Sequence, residues 1–495
     1  MASDMNRTEV EIRAEFERVL DFVTGEQART ATADQIERGL FTLLLRLGTK
    51  LLLLFFQMRS EACSRDGVTL ENGQVLPYHS EQKRTYFSIF GRVPLWRPYF
   101  YETDIGGQTP LDAELSLGSN RYSDLLRDTV EYLAVYVPSY GKAMAILERI
   151  LNFKVSTRVV QRMVDEDADD VEAYYEQKPP PDPTEEAAIL VVQADGKGVP
   201  MVLEKVAEPK VRLGKGQKCG RKKEAIVTTV YTIASAPRTP EEVVDSLFHP
   251  KKEAGESEEE ESPSPSPQNK HVWATLDGKD AALNRLAERT TTRQGDHIQA
   301  QIALTDGDPA LQKRVETYFP DFELILDFIH PNEYLWDVAN ALFGETDERR
   351  NAWVEGQTLL MLSSKTKQVI NDFRALAAQD ERSKKQRKEL NKTANYFERN
   401  LHRMDYQTYL TKGWSIASGV IEGACRHFVK DRFELSGMRW TQAGAEQLFH
   451  LRAVAENEDW DTYHRYHQRQ RHDRLYTLPF PDQNRLEFQS LELAA

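Results

Sequence analysis

At 495 residues the chain exceeds one ordinary hydrophobic core, so two or three domains are expected. Hydrophobic residues at 40% and charged residues at 29% fit a soluble globular protein and exclude fibrous or collagen-like classes. The net charge of -14 opposes phosphate binding unless the basic residues are locally concentrated.

They are concentrated. Glu253, Glu256, Glu258, Glu259, Glu260 and Glu261 gather in one low-complexity tract, whereas Lys and Arg bunch at 210–223, 381–392 and 464–474. Solvated charge explains each cluster equally well. Cys63, Cys219 and Cys425 are isolated, which argues against a disulfide framework and against a cysteine zinc module. The N-terminus mixes Arg, Glu and Asp and carries no cleavable signal, so a cytoplasmic protein is expected.

In chain order, residues 8 to 60 read as two helices, the second heavily apolar and suited to packing or oligomerisation. Its stretch Leu40 to Met58 is interrupted by Arg46 and Lys50, which favours a core or partner helix over a membrane span. Alternating bulky and polar positions around Gly91 (84 to 102) predict a β-hairpin. From Ser139 to Glu166 the pattern gives an apolar helix, a break at Asn152 to Lys154, and a second helix capped by Ser156 or Thr157. That is a helix-turn-helix layout in which Arg158, Gln161 and Arg162 reach bases, although plain helical hairpins are commoner.

The run "KPPPDPT" (178 to 184) is a stiff linker that marks a boundary. After it come three predicted strands (around 187 to 198, 224 to 234 and 271 to 276), a helix near 280 to 293, a strand at 300 to 310, a helix, and a strand at 323 to 331. This order predicts a mixed α/β sheet. The acidic stretch 251–270 is expected to be a disordered insert. Helices are predicted from Glu333 to about Gly413, and a last one through 418 to 434.

Two of the strands run into Asp-Gly, at Asp195 and Asp306. Close carboxylates repel unless a cation lies between them, and Asp and Glu oxygens with retained waters suit Mg²⁺. Gly196 and Gly307 are expected to clear space for a phosphodiester, with Lys197 facing a phosphate. Two-metal cleavage needs a third acid, for which Glu422 in the small apolar run "SGVIEGAC" is the candidate. Taken singly, Asp-Gly is a turn signal and Glu422 an ordinary helix residue. Their order, with Asp after the first strand, Asp after the fourth and Glu on a late helix, matches an RNase H-like nuclease sheet.

The segments "ADGKGVPM", "TDGDPAL", "LILDFIHPNEYLWDVANALFG", "SIASGVIEGACRHFVKDRFELSGMRW" and "NEDWDTY" resemble the DDE transposases of the Kra group of bacterial insertion sequences, related to the Mutator superfamily. The similarity spans roughly Tyr86 to Tyr463. It implies an RNase H-like catalytic domain interrupted by an all-helical insertion and preceded by a mainly helical DNA-binding region with a β-hairpin. The implied bounds are 1–82, 83–177, 185–332, 333–413, 414–475 and a tail 476–495.

By the same resemblance Asp195, Asp306 and Glu422 form the catalytic triad and bind two Mg²⁺ ions, with Mn²⁺ as a substitute. Asp327 and His330 match a motif that sets a histidine near the scissile phosphate, while the bland reading of His330 is a strand-end cap. The DNA-facing set comprises Arg158, Arg162, Lys197, Lys222, Lys223, Arg432, Arg439 and Trp440; Arg and Trp suit phosphate and base faces, and a buried Trp is the ordinary alternative.

The chain departs from the family pattern at Glu102 and Ile105, which stand in place of a CxxC ribbon, and no zinc is expected there. The Trp-Ile usual after the second Asp is missing, which makes Asp308 a rival ligand. The implied activity is cutting at the ends of an element and joining its 3'-hydroxyls to target DNA. Double-stranded DNA and a homodimer or larger assembly are the expected partners, without a membrane. An RNase H-like endonuclease without strand transfer and a domesticated DNA-binding protein are the alternatives.

Overall fold

The computed structural model describes residues 2–70, 73–202, 222–249, 265–435 and 437–476. It is a mixed α/β protein of two compact units, one formed by Met1–Glu176 with the chain from Asp459 on, the other by Gln177–Glu458. The expected linker stands at this boundary. The last helix, Trp460–Tyr476, groups with the first unit rather than with the preceding helices to which the resemblance assigns it.

In the first unit, α1 (Ala2–Thr24) and α2 (Ala33–Ala62) form a hairpin. Thr32 starts α2 through a capping box, its hydroxyl taking the Gln35 N–H while the Gln35 side chain returns to the Thr32 N–H. By length and composition α2 also passes for a membrane span. The predicted hairpin is β1 (Tyr78–Ser88) paired with β2 (Gly91–Glu102), extended by a short antiparallel β3 (Gly106–Gln108). Gly91 adopts φ +129°, a backbone that L side chains rarely take, and so closes the turn. Phe56 of α2 packs on Val93 and Leu95 of β2 and on Leu111.

The longer helices that follow are α3 (Asp124–Tyr136), α4 (Tyr140–Leu151) and α5 (Thr157–Asp167). As read from the sequence, Asn152 ends α4 in the left-handed region and the Ser156 hydroxyl caps α5 by accepting the Val159 N–H. Val160, Met163 and Val164 fix the buried face of α5, leaving Arg158, Gln161 and Arg162 exposed.

A buried charge network fastens the terminal helix to this unit. Arg127 donates to Asp167 (3.0 Å) and Glu166 (2.8 Å), while His467 lies 2.7 Å from Asp170 and 3.1 Å from Asp167. Arg474 adds a bidentate pair to Asp170 at 2.6 and 2.8 Å. Burial by itself would depress the His467 pKa, but the bonds to Asp167 and Asp170 outweigh it and raise the imidazole to about 9. Because the folded pKa exceeds the unfolded value of about 6.5, this stabilisation is complete below about pH 6.5 and is lost as pH climbs through about 9. Melting temperatures across that window should therefore fall in the native chain and stay nearly level in His467→Gln. Equal slopes would contradict the pairing.

The second unit is built on a five-stranded sheet: β4 (Ile189–Pro200), β5 (Lys222–Ile233), β6 (Gln268–Thr275), β7 (Ala300–Thr305) and β8 (Glu323–Leu326). The spatial order is β8-β7-β4-β5-β6. β4, β5 and β6 run as antiparallel neighbours, whereas β7 lies parallel to β4 and β8 parallel to β7. Between β6 and β7 runs α6 (Lys279–Thr291), and between β7 and β8 runs α7 (Pro309–Tyr318).

Alternation along β4 serves two cores. Leu190, Val192 and Ala194 pack with Leu283, Leu286, Leu311 and Val315 of α6 and α7. Ile189 and Val191 belong to the other core, with helices drawn from 329–411. Those helices are α8 (Ile329–Phe343), α9 (Arg349–Leu362), α10 (Thr366–Ala378), α11 (Lys384–Asn400) and α12 (Tyr406–Thr411).

Several details correct the sequence reading. β4 does not end at Asp195, since it stays paired with β5 from Ile189↔Ile233 to Pro200↔Lys222. Only its parallel neighbour stops, at Gln193↔Leu304, so Asp195 stands where β4 has just lost β7. β6 begins at Gln268, inside the span assigned to the acidic insert, because its residues pair with β5. A helix, Pro240–Phe248, also separates β5 from β6, started by a Thr239 capping box that the sequence reading overlooked. Residues 251–264 of the insert, Cys219 and most of the 210–223 basic run fall outside the described residues.

Candidate carboxylate site

The fork in the sheet positions the first acid. Asp195 lies beyond the last β4–β7 pair and, by strand alternation, on the face of Val191 that looks toward α8–α12. Its Oδ1 accepts the Gly196 N–H (2.6 Å), and its Oδ2 accepts the Cys425 thiol (3.2 Å). Asp306 follows directly after β7, with Oδ1 accepting the Asp308 N–H at 3.0 Å. Burial raises the Asp306 pKa, the Asp308 N–H opposes that rise, and the charge of Asp195 reinforces it. The two aspartates thus sense each other. Asp308 is otherwise engaged, capping α7 through the Ala310 N–H (3.1 Å) and lying 3.6 Å from Lys279.

Glu422 arrives on α13 (Gly419–Ala424), whose placement depends on two buried groups. Asp327, fully buried just after β8, accepts the Ser418 N–H (3.1 Å), the Ser418 hydroxyl (2.7 Å) and the Ile329 N–H (3.2 Å). The Gln193 side-chain oxygen accepts the Ile421 N–H (3.0 Å), tying α13 to β4. Held at both points, α13 presents Glu422 as an exposed carboxylate 3.3 Å from the Ser418 hydroxyl. The Cys425 thiol pKa is pushed up by burial first, then by the charge and bond of Asp195, with Glu422 acting in the same direction. One thiol therefore feels both carboxylates.

Asp327, His330 and Glu422 bring one ligand-type atom each within 4.8 Å of one another. His330 sits in the first turn of α8 rather than at a strand end, because the chain turns into helix at Ile329. Its Nε2 is 3.8 Å from Asp327 and its Nδ1 is 3.4 Å from Glu333.

After α13 the helix widens into a π-helical stretch, Cys425–Lys430. Such insertions are rare and recur at functional sites. Gln193 and this π stretch were not singled out from the sequence, and Ser418 and Cys425 stood in the "SGVIEGAC" run without a role at the site. A buried Gln inside a strand of Val and Ile was the available signal for the first.

The glycines serve another purpose than the one expected. A Cβ on Gly196 would lie 2.4 Å from the Glu224 carboxylate, and one on Gly307 would lie 2.3 Å from the Tyr396 hydroxyl. This chain's own side chains already take that room. The Tyr396 pKa is raised by burial first, with the charges of Tyr334, Asp306 and Asp327 adding to it.

The basic set divides. Lys197 is half-buried in β4, and its charge opposes the rise at Cys425. Lys222 is paired with Glu434, and Lys223 reaches Gln442 at 2.7 Å. Arg432 contradicts the expectation of a DNA-facing side chain: it is buried, with its guanidinium 5.1 Å from the Trp440 ring, so it braces the loop. Trp440 is partly buried against Phe433, donates its indole N–H to the Phe433 carbonyl (3.2 Å), and bridges by backbone to Pro200 and Val202. Arg439 beside it is exposed, while Arg158 and Arg162 belong to the first unit.

Among the described residues a second acid–histidine group, Glu131, Asp167 and His464, also gathers ligand-type atoms within 4.8 Å. Arg127 already lies against it, 3.8 Å from Glu131 and bonded to Asp167, which supplies the positive charge there. No protein-family model and no curated protein matches the sequence.

Proposed function

We propose that the chain is a metal-dependent DNA transposase of the DDE type, with the second unit an RNase H-like catalytic domain and the helices α8–α12 an insertion between its second aspartate and its glutamate. The observation that carries this reading is the fork. In a sheet ordered β8-β7-β4-β5-β6, one carboxylate stands where β4 leaves β7, a second follows β7, and a third sits on a helix tied to β4 by Gln193.

The donor set fits magnesium. Asp195, Asp306 and Glu422 offer oxygen ligands, and Asp306 is a half-buried carboxyl whose ionised form is opposed by Asp195 and would be favoured by a nearby cation. When bound, two Mg²⁺ or Mn²⁺ ions supply charge neutralisation for the attacking and leaving oxygens of an in-line displacement. The chain's residues supply position. Cys425 orients Asp195, while Asp327 and Ser418 fix the turn from which Glu422 projects. Lys197, Arg439 and the exposed Arg158 and Arg162 are the basic groups on this reading available to DNA phosphates.

Duplexes made from the DNA on either side of the gene, incubated with Mg²⁺ and target DNA, test the proposal. Cleavage followed by joining of the 3' ends supports it. Cleavage without joining favours a nuclease, and binding without cleavage favours a DNA-binding regulator.

A further inference from the structure

α2 carries a second helix-packing surface whose large side chains stay about half exposed among the described residues. Phe41, Leu44, Gly48, Leu51, Phe55 and Met58 follow one another at alternating steps of three and four, the spacing of a helix seam that lies lengthwise against another helix. The five large side chains of that seam are 43% to 54% exposed. At Gly48 the missing side chain is replaced by Phe90 from the β1–β2 turn, whose ring lies 2.6 Å from where a Cβ would stand and is itself exposed. Leu40, Leu47 and Leu54, each one residue before a seam position, broaden the apolar strip.

We infer that this strip is the homodimer interface, with the α2 seam of one chain packed against the same seam of a second copy. Three features select that occupant. The 3-4 spacing calls for a helix. None of the seam positions carries a charge, so identical surfaces meet without repulsion, and the charged flanking residues that would select a foreign helix are absent from the Leu40, Leu47 and Leu54 edge. The open side chains, with Phe90, offer several hundred Å² per chain, approaching the ~800 Å² per partner of a standard interface.

A bilayer is the poorer occupant. Arg46 and Lys50, in the middle of α2, are ion-paired at 3.2 and 2.8 Å with Glu15 and Glu11 of α1, and a span would carry those charges into hydrocarbon.

Sedimentation velocity on the full chain at micromolar concentration, without DNA or detergent, tests the assignment independently of the carboxylate chemistry. The native chain should run at twice the chain mass. Leu44→Glu/Leu51→Glu and Leu44→Lys/Leu51→Lys should each run as monomers, and an equimolar mixture of the two should recover dimers, which misfolding would not produce. A monomeric native chain, a dimer that persists in both variants, a mixture that stays monomeric, or partition of the native chain into phosphatidylcholine vesicles in place of dimerisation would each overturn it.

Discussion

Glu422→Gln should lower DNA cleavage by about 10³-fold or more, the scale of removing one member of a catalytic unit, while leaving DNA affinity unchanged. The physical basis is that the substitution removes a negative charge and little else. Glu422 is exposed, and its hydrogen bond from the Ser418 hydroxyl, at 3.3 Å, can be kept by an amide oxygen. Folding should therefore shift by no more than about 0.5 kcal/mol. Asp327→Asn should behave differently, because Asp327 is fully buried and accepts three hydrogen bonds from Ser418 and Ile329. That variant should lose stability together with activity. Cleavage by Glu422→Gln at the native rate would remove Glu422 from the chemistry, and a parallel loss of folding would reduce it to a structural residue.

The largest stability effect is expected far along the chain from those acids. Arg127→Met should destabilise the first unit by about 3–5 kcal/mol, the cost of breaking a buried ion pair from one side. Arg127 is buried, it binds Asp167 and Glu166, and it lies 3.8 Å from Glu131. Burial, followed by the charge of Asp167, already drives the Glu131 pKa well up, and among the described residues Glu131 has no other cation as close, so withdrawing the guanidinium leaves Glu131 uncompensated and Asp167 held by His467 alone. Pairing the change with Asp167→Asn should cost less than the sum of the two single changes. Urea unfolding of the full chain, resolved for the first unit, provides the measurement, and a loss under about 1 kcal/mol would mean that the pair adds nothing to folding.

The parts of this protein that were legible in its sequence are those set by local pattern. Apolar runs bounded by Asp-Gly or Pro gave the five strands in their chain order, and Ser156 with Asn152 gave the break between α4 and α5. Partners distant along the chain were not legible. That β4 keeps β5 but loses β7 at Asp195 depends on residues far along the chain, those of β5 lying beyond the 203–221 stretch. Gly196 and Gly307 looked like clearance for a ligand because a sequence cannot show that Glu224 and Tyr396 fold over them.

Arg432 illustrates the same limit. Its composition marks a phosphate ligand, and only the packing of Trp440 shows that it is enclosed. The terminal helix Trp460–Tyr476 reads as a solvated basic tail, yet Tyr463, His467 and Arg471 are held by partners more than 280 residues earlier in the chain. Gln193 escaped notice for the converse reason. It has no charge and no motif to announce it, and with Ser418 it acts by orienting the helix that carries the acid.

The convergence of three carboxylates on a divalent cation is the claim on which the rest depends. Anomalous diffraction from crystals grown with Mn²⁺ tests it most directly. Manganese should appear between Asp195, Asp306 and Glu422, with oxygens from all three at about 2.1 Å, the metal–oxygen distance of small hard cations. Manganese bound elsewhere, with these three side chains turned away from one another, would contradict it.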